Sequence, residues 1–204
     1  MKHGQSFKIM AITINGNGTI TGLSTGGLPD GSVDADTLAS GTVLSWTTTS
    51  ASNANGNSNV DISGIPSTAV IVVVHFVGLS TASDSSIYFR VGTSSGFIDS
   101  GDYYDYSSFG RTQAGTEGTD QNDNKIRLFR ADSDDASVRH GQLTLLKASG
   151  NYWTFNHTGG HDGNQSGYSA SSGAIEVGAA LTQVRTICNS GNFDAGSIYL
   201  SYLG

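Results

Sequence analysis

Glycine recurs so densely along this chain that long helices are excluded. The sequence holds 28 glycines in 204 residues, and a glycine inside a helix costs about 1 kcal/mol relative to alanine. Between the glycines, apolar residues alternate with polar ones, which is the period of a strand with one buried face. Short strands with frequent turns must pair two sheets over one core, so we expect an all-β antiparallel β-sandwich of roughly eight strands. Jelly-roll-like connectivity is one option among several.

The strand pattern is clearest in the middle of the chain. Residues 69–77 are apolar on both faces, which predicts a central strand buried on both sides. His75 lies among these valines, and we expect it to be neutral and hydrogen-bonded. Residues 87–91 alternate as a strand with one buried face. The alternation slips near Gln183, which predicts a bulge or a strand break there.

Charged residues make up only 13% of the chain, while serine, threonine and asparagine together number 62. Soluble domains usually carry about 25% charged residues, so hydroxyls and amides solvate this surface instead. With a formal net charge of -7 the chain has no basic stripe for phosphate backbones, and we expect no nucleic-acid partner. No apolar run reaches about 18 residues, so we expect no membrane insertion. We also expect no secretory leader.

Composition changes near residue 60, which divides the chain into residues 1–59 and residues 60–204. The first part is rich in glycine, asparagine and threonine and holds few large apolar side chains. Ordering a residue's backbone costs about 1–2 kcal/mol, so such a segment cannot build a core of its own. It is either a linker or a segment that buries its large side chains against another chain. The second part contains the strands of the β-sandwich.

Two segments near the start of the chain and one at its end carry a family resemblance. The first is Ala11-Ile-Thr-Ile-Asn-Gly-Asn-Gly-Thr-Ile-Thr-Gly-Leu23, and the second is Gly27-Leu-Pro-Asp-Gly-Ser-Val-Asp-Ala-Asp-Thr-Leu-Ala-Ser-Gly41. The third is Gly191-Asn-Phe-Asp-Ala-Gly-Ser-Ile-Tyr-Leu-Ser-Tyr202. Together they resemble segments of tail-fibre and other virion fibre proteins of tailed bacteriophages, those of aquatic and marine phages most of all.

The resemblance implies a small homotrimeric virion component that recognises the host surface. We expect no enzymatic activity, because no pair of carboxylates can be placed in a groove from the sequence. Its implied partners are other virion proteins and a host surface glycan or protein, with no cofactor. The protein would be made in the bacterial cytoplasm and would become part of the virion. Residues 1–59 would be extended and intertwined and would serve attachment and trimerisation. Residues 60–204 would form the receptor-binding domain. A capsid-attached head fibre or decoration protein is the alternative, and a polysaccharide depolymerase is a third. Sister subunits would bury these side chains: Ile12, Ile14, Ile20, Leu23, Leu28, Val33 and Leu38.

Two motifs have the residue types of catalytic or metal sites. Gly92-Thr-Ser-Ser-Gly96 matches the nucleophile elbow of hydrolases, but the residues after it have no helical signature, so we expect a chance match. His157-Thr-Gly-Gly-His161-Asp162 offers two imidazoles and a carboxylate, whereas a zinc site needs three or four ligands. We expect its Thr-Gly-Gly to form a hairpin tip with exposed histidines, and no metal. Residues 119–140 predict a strand and a solvated acidic loop without EF-hand spacing.

The aromatic cluster Asp102-Tyr-Tyr-Asp-Tyr106 is the strongest candidate for a binding surface. It lies between glycines in a predicted long loop, and tyrosine suits both sugars and protein surfaces. Alternatively, Tyr103 or Tyr104 closes the end of the sandwich. Trp153 and Phe155 share a strand face and are expected in the core. The predicted receptor-binding residues are Asp102, Tyr103, Tyr104, Asp105, Tyr106, His157, His161 and Asp162.

Overall fold

The computed structural model describes most of the chain, namely residues 13–14, 20–21, 45–99, 104–112, 117–120, 124–131, 137–163 and 166–204. The chain divides into two units, Met1–Leu44 and Ser45–Gly204. In the first unit, β1 (Thr13–Ile14) pairs antiparallel with β2 (Ile20–Thr21). The described residues contain no helix that is long and apolar enough to cross a membrane.

The second unit is built from antiparallel strands. Among the described residues these are β3 (Trp46–Thr48), β4 (Ser52–Asn53), β5 (Asn59–Ser63), β6 (Ile71–Thr81), β7 (Ile87–Thr93), β8 (Gly96–Phe97), β9 (Tyr104–Thr112), β10 (Glu117–Asp120), β11 (Ile126–Phe129), β12 (Val138–Ser149), β13 (Tyr152–Asp162), β14 (Gly167–Glu176), β15 (Gln183–Cys188) and β16 (Phe193–Leu203). The larger sheet has nine strands in the order β10-β9-β14-β13-β12-β6-β16-β3, with β4 also paired to β16. The smaller sheet has five, in the order β11-β7-β15-β5, with β8 paired to β7.

One hydrophobic core joins the two sheets. On the larger sheet, β6, β12 and β13 contribute the fully buried Val74, Leu145 and Phe155, and on the smaller sheet β7 and β15 contribute Phe89 and Val184. Burial alternates with period two along most of each of these strands, as the sequence pattern predicts, and the last three residues of β6 and of β7 depart from it. The all-β fold of antiparallel sheets is therefore confirmed.

Several local expectations are also confirmed. Trp153 and Phe155 both lie in the core, at 2% and 1% exposure. β14 ends at Glu176 and β15 begins at Gln183, so the slip in the alternation marks a strand break. In an antiparallel sheet with one buried face, every second side chain points towards the core, and large apolar side chains occupy those positions.

The prediction that residues 69–77 are buried on both sides is wrong. Val72, Val74 and Phe76 are buried, but Val73 and His75 on the other side of β6 are half-buried and Val77 is 45% exposed. The smaller sheet packs against one face of β6, and no second layer of the Ser45–Gly204 unit covers the opposite face in the described residues. His75 therefore lies on the outer face of the larger sheet and not in the core.

Residues 45–59 belong with the sandwich, although their composition groups them with the preceding segment. β3 and β4 pair with β16 at the edge of the larger sheet, and Ala54 is fully buried. The short strands and backbone hydrogen bonds of this stretch complete the edge without needing large apolar side chains. Of the predicted oligomerisation residues, only the backbones of Ile14 and Ile20 are described. The others lie outside the described residues: Ile12, Leu23, Leu28, Val33 and Leu38.

Two glycines on neighbouring strands make room for the ring of Phe129. A Cβ atom at Gly159 would lie 2.7 Å from Phe129 Cζ, and one at Gly141 would lie 3.2 Å from the same atom. Phe129 is 1% exposed and also packs edge-on against Phe76, with ring centroids 6.0 Å apart. The ring therefore has no free space into which it could retreat.

We predict that Gly159→Ala lowers the free energy of unfolding by roughly 1–3 kcal/mol, the range typical of an overpacked core. Gly160→Ala is the matched control, because a Cβ there meets nothing closer than the Gly167 carbonyl oxygen at 3.7 Å. Urea unfolding of both variants measures the difference. Equal stability of the two variants would contradict the packing described for Phe129.

Candidate functional site

The outer face of the larger sheet carries the side chains that point away from the core. Strand register places His75 of β6 opposite Gln142 of β12, and Gln142 opposite Thr158 of β13. Thr158 is opposite Ala170 of β14, which in turn is opposite Phe109 of β9. A row of side chains thus runs across five neighbouring strands, perpendicular to the chain direction.

Three shallow depressions lie side by side along this face, and we call them together the cross-strand trough. The first, of about 430 Å³, extends from Trp46 to Gln142. The second, of about 580 Å³, extends from Gln142 to Tyr168. The third, of about 320 Å³, shares Thr158 and Ala170 with the second and reaches Ser107. Because neighbouring depressions share lining residues, they form one continuous surface feature.

Most of the described side chains that line the trough carry hydroxyl or amide groups, with apolar surface exposed between them. None of its described lining residues is Asp, Glu, Lys or Arg. Hydroxyl and amide groups dominate instead, and among the described residues no hydrogen bond engages the side chains of His75, Gln142 or Thr158. Elsewhere in the trough, Thr48 Oγ1 lies 2.9 Å from Ser201 Oγ, and His140 Nδ1 accepts a hydrogen bond from the Gly78 amide at 3.2 Å. The trough therefore offers unengaged donors and acceptors.

Exposed aromatic rings stand towards the two ends of the trough. Trp46 on the edge strand β3 is 57% exposed, and Tyr168 on β14 is 51% exposed. Tyr168 packs against Phe109, with ring centroids 5.7 Å apart. The strand order separates β3 from β14 by five strand spacings, which at about 4.8 Å each amounts to roughly 24 Å. Flat rings that flank a bed of hydroxyl and amide groups suit an extended ligand with both apolar and polar faces.

The predicted loop around the tyrosine cluster is wrong, because β9 begins at Tyr104 and pairs with β14 along its whole length. Tyr104 and Tyr106 point into the core, at 5% and 4% exposure. The Tyr104 hydroxyl accepts a hydrogen bond from the Val91 amide and donates one to the Ile98 carbonyl, both at 3.1 Å. Burial raises the pKa of Tyr104. These two tyrosines therefore cannot form the receptor-binding surface; the alternative, that Tyr104 closes one end of the sandwich, agrees better with its burial.

The structure does not test the predicted role of three further residues of the cluster. Asp102 and Tyr103 lie outside the described residues. Asp105 lies on β9, where only its backbone is described. Their role in binding a receptor stays a prediction.

The expected hairpin tip at Thr-Gly-Gly is also wrong, because β13 runs without a break from Tyr152 to Asp162. His157 and His161 therefore lie on one side of the same strand and not on facing strands. His157 is 1% exposed, which excludes it from the surface, whereas His161 is half-buried. Asp162 is exposed and accepts a hydrogen bond from Ser166 Oγ at 3.1 Å. In the described part of the chain, no group of three His, Cys, Asp or Glu side chains is arranged to hold a metal ion.

The serine motif forms a hairpin and not a nucleophile elbow. Ser94 and Ser95 make the turn between β7 and β8, and Thr93 Oγ1 accepts a hydrogen bond from the Ser95 amide at 3.1 Å. A nucleophile elbow leads from a strand into a helix, whereas here the chain turns back into a second strand. The match to G-x-S-x-G therefore has no structural counterpart.

The residues that line the trough escaped the sequence-based prediction. Gln142 and Thr158 are the polar positions of strands whose apolar positions identified them as strands. Trp46 lies in a stretch that composition groups with the N-terminal segment, and Tyr168 lies on a strand far from the tyrosine cluster in sequence. The sequence signal that could have identified them is the set of polar residues that alternate with the apolar ones. These polar residues are uncharged around Gln142 in β12 and around Thr158 in β13.

His157 is a buried imidazole in an aromatic environment. Its ring packs edge-on against Phe76 and Phe129, with centroid distances of 6.3 and 5.0 Å. Neither of its nitrogens has a hydrogen-bond partner among the described residues. Burial lowers the pKa of His157 to about 3, because the apolar surroundings disfavour the charged imidazolium.

We predict that His157 makes the fold sensitive to acid. Below the unfolded pKa of about 6.5, the unfolded chain binds a proton that the folded chain does not, so stability falls by about 1.4 kcal/mol per pH unit down to the folded pKa. In His157→Phe, and in His157→Leu should phenylalanine overpack the site, this contribution to the pH dependence disappears. Urea unfolding between pH 6.5 and about 4 measures it. Identical pH slopes for wild type and both variants would contradict the buried neutral histidine.

Comparison with known proteins assigns no family. The chain matches no protein-family model, no curated protein and no solved structure. The role of the trough therefore has to be inferred from its own geometry and chemistry.

Proposed function

We propose that this chain is a bacteriophage virion fibre protein, of the tail-fibre type, that forms a homotrimer and recognises the host cell surface. The observation that carries the recognition role is the cross-strand trough. A wide depression in which the exposed Trp46 and Tyr168 accompany hydroxyl and amide side chains suits a ligand with both apolar and polar faces. The segments that resemble fibre proteins supply the virion context of the proposal.

The chemistry of the trough supports binding over hydrolysis. Cleavage of a glycosidic bond usually requires two carboxylates that flank the scissile bond. The trough offers neutral donors and acceptors, and its described lining contains no Asp or Glu. Non-covalent recognition by a shallow surface is weak at one site, and three copies on one fibre raise the overall avidity by effective concentration.

The N-terminal unit supports the proposed trimer. β1 and β2 have two residues each, and an isolated two-stranded hairpin is at best marginally stable in water. Ile14 and Ile20 are cross-strand partners in this hairpin. Packing of such isoleucines against sister subunits would bury apolar surface that the hairpin cannot bury within itself.

We expect light scattering of the full chain to give three times the chain mass of 21.1 kDa. The double variant Ile14→Asp, Ile20→Asp should assemble more weakly, because a trimer would desolvate the introduced carboxylates. Val77→Asp is the control, since Val77 is 45% exposed on the sandwich unit and a charge there should be solvated. A stable monomer of the wild-type chain at micromolar concentration would contradict the trimer.

We expect immunogold labelling of purified phage particles to place the chain on the tail, and the purified chain to compete with those particles for adsorption to host cells. Both results are expected if the fibre carries the host contact. Label on the capsid, without competition, would favour the head-fibre alternative. Particles that carry no label would overturn the proposed function.

A further inference from the structure

We propose that the cross-strand trough binds a neutral glycan chain that lies across the strands, with Trp46 and Tyr168 as its two stacking platforms. The inference rests on the proposed function, since it names the ligand class of the host contact. The inference replaces the tyrosine cluster, whose described side chains are buried, with a surface that is exposed.

The spacing of the polar groups favours a polymer over a compact ligand. His75, Gln142 and Thr158 lie in register on three neighbouring strands. Neighbouring strands are about 4.8 Å apart, so a polar side chain recurs at a regular interval across these three strands. A chain of linked sugar rings also presents hydroxyl groups at regular intervals. Successive rings can therefore meet successive strands along the trough.

The absence of charged side chains from the described lining of the trough indicates the ligand class. Carboxylated, sulfated or phosphorylated sugars are usually held by arginine or lysine, which donate charge-assisted hydrogen bonds. The described lining of the trough contains neither residue, and the chain carries a formal net charge of -7. An anionic glycan would therefore meet a repulsion from the net charge that the described lining residues do not offset. Neutral sugars meet hydroxyl and amide groups that can both donate and accept hydrogen bonds.

The shape of the trough at its Tyr168 end suits a sugar ring. Gly160 and Ala170, which also line the second depression, have no bulky side chain, so the floor beside the Tyr168 ring is low. The apolar C–H face of a sugar can pack on the tyrosine ring while its hydroxyls reach Gln142 and Thr158. Trp46 provides the equivalent ring in the first depression, whose lining also includes Thr144 and Ser201.

A second copy of the chain is the main competing occupant. Strand register aligns Trp46 with Leu203, Leu203 with Ile71 and Ile71 with Leu146, an apolar row at one end of the same face. A protein interface would centre on such a row, because interface cores are apolar and depleted in charge. The trough shares Trp46 with this row but otherwise continues along hydroxyl and amide side chains, so we assign it to a glycan and leave the second copy as an outcome of the test.

Intrinsic fluorescence reports directly on the trough, because the chain has two tryptophans and only Trp46 is exposed, Trp153 being 2% exposed. Titration of the full chain with galactomannan, xyloglucan and dextran as neutral probes should shift the emission to shorter wavelength and protect Trp46 from acrylamide. Alginate, a polyuronate, should do neither. Emission that instead depends on protein concentration alone would show that a second copy covers Trp46.

Affinity electrophoresis in gels that contain the best neutral probe tests the platforms. We expect Trp46→Ala and Tyr168→Ala each to weaken retention by about tenfold, as truncation of an aromatic contact commonly does. Tyr152→Ala is the matched control: Tyr152 is 50% exposed on the same sheet, lies outside the trough and donates a hydrogen bond to Glu176 at 2.8 Å. It should bind like wild type, and all three variants should have wild-type unfolding midpoints.

The outcomes separate this inference from the proposed function. No response to any neutral probe, a response to alginate alone, concentration-dependent emission, or equal losses in Tyr152→Ala and Trp46→Ala would each overturn the glycan trough. The trough variants could compete for adsorption as well as the wild-type chain, while the chain itself is found on the particle. In that case the fibre proposal stands and the proposed glycan binding by the trough is wrong. If neutral probes bind but particles carry no label, the trough stands and the fibre proposal fails.

Discussion

Burial of one face of a nine-stranded sheet against a narrower five-stranded sheet determines where every side chain of the sandwich unit can lie. It places large apolar side chains of β6, β12 and β13 in one core with those of β7 and β15. The same packing leaves the opposite face of the larger sheet without a second layer in the described unit. Side chains alternate between the two faces of a strand, so every second side chain lies on that face. The polar residues of each strand therefore determine the chemistry of the face.

The low charge of the chain gives this outer face its character. Many soluble proteins carry lysine and glutamate on such a face. These side chains repel neutral ligands little, but they bind water strongly and lose conformational entropy when a ligand covers them. In the trough on this face, the described polar side chains are mainly threonine, serine, glutamine and asparagine. These short side chains lose little entropy on binding and offer both donors and acceptors. The composition from which we expect no nucleic-acid partner would thus also suit neutral polar partners.

Local patterns predicted what local forces determine. The alternation of β7, the core positions of Trp153 and Phe155, and the break before Gln183 all follow from side-chain periodicity. The features that could not be predicted depend on partners distant in sequence. Apolar residues on both sides of β6 do not reveal that only one side is covered, and glycines around Tyr104 suggest a loop because its partner strand β14 lies some 70 residues later. The trough exists only through the register of β6, β12, β13 and β14, which no local pattern fixes.

Ligand binding by the trough requires that the outer face of the larger sheet is uncovered in the assembled protein. Hydroxyl-radical footprinting of the full chain, with oxidation rates read residue by residue by mass spectrometry, tests this requirement. We predict rapid oxidation of Trp46 and Tyr168 and slow oxidation of Trp153, Tyr104 and Tyr106. Rates for Trp46 and Tyr168 as slow as that of Trp153 would contradict an open face, because another part of the assembly would then occupy it.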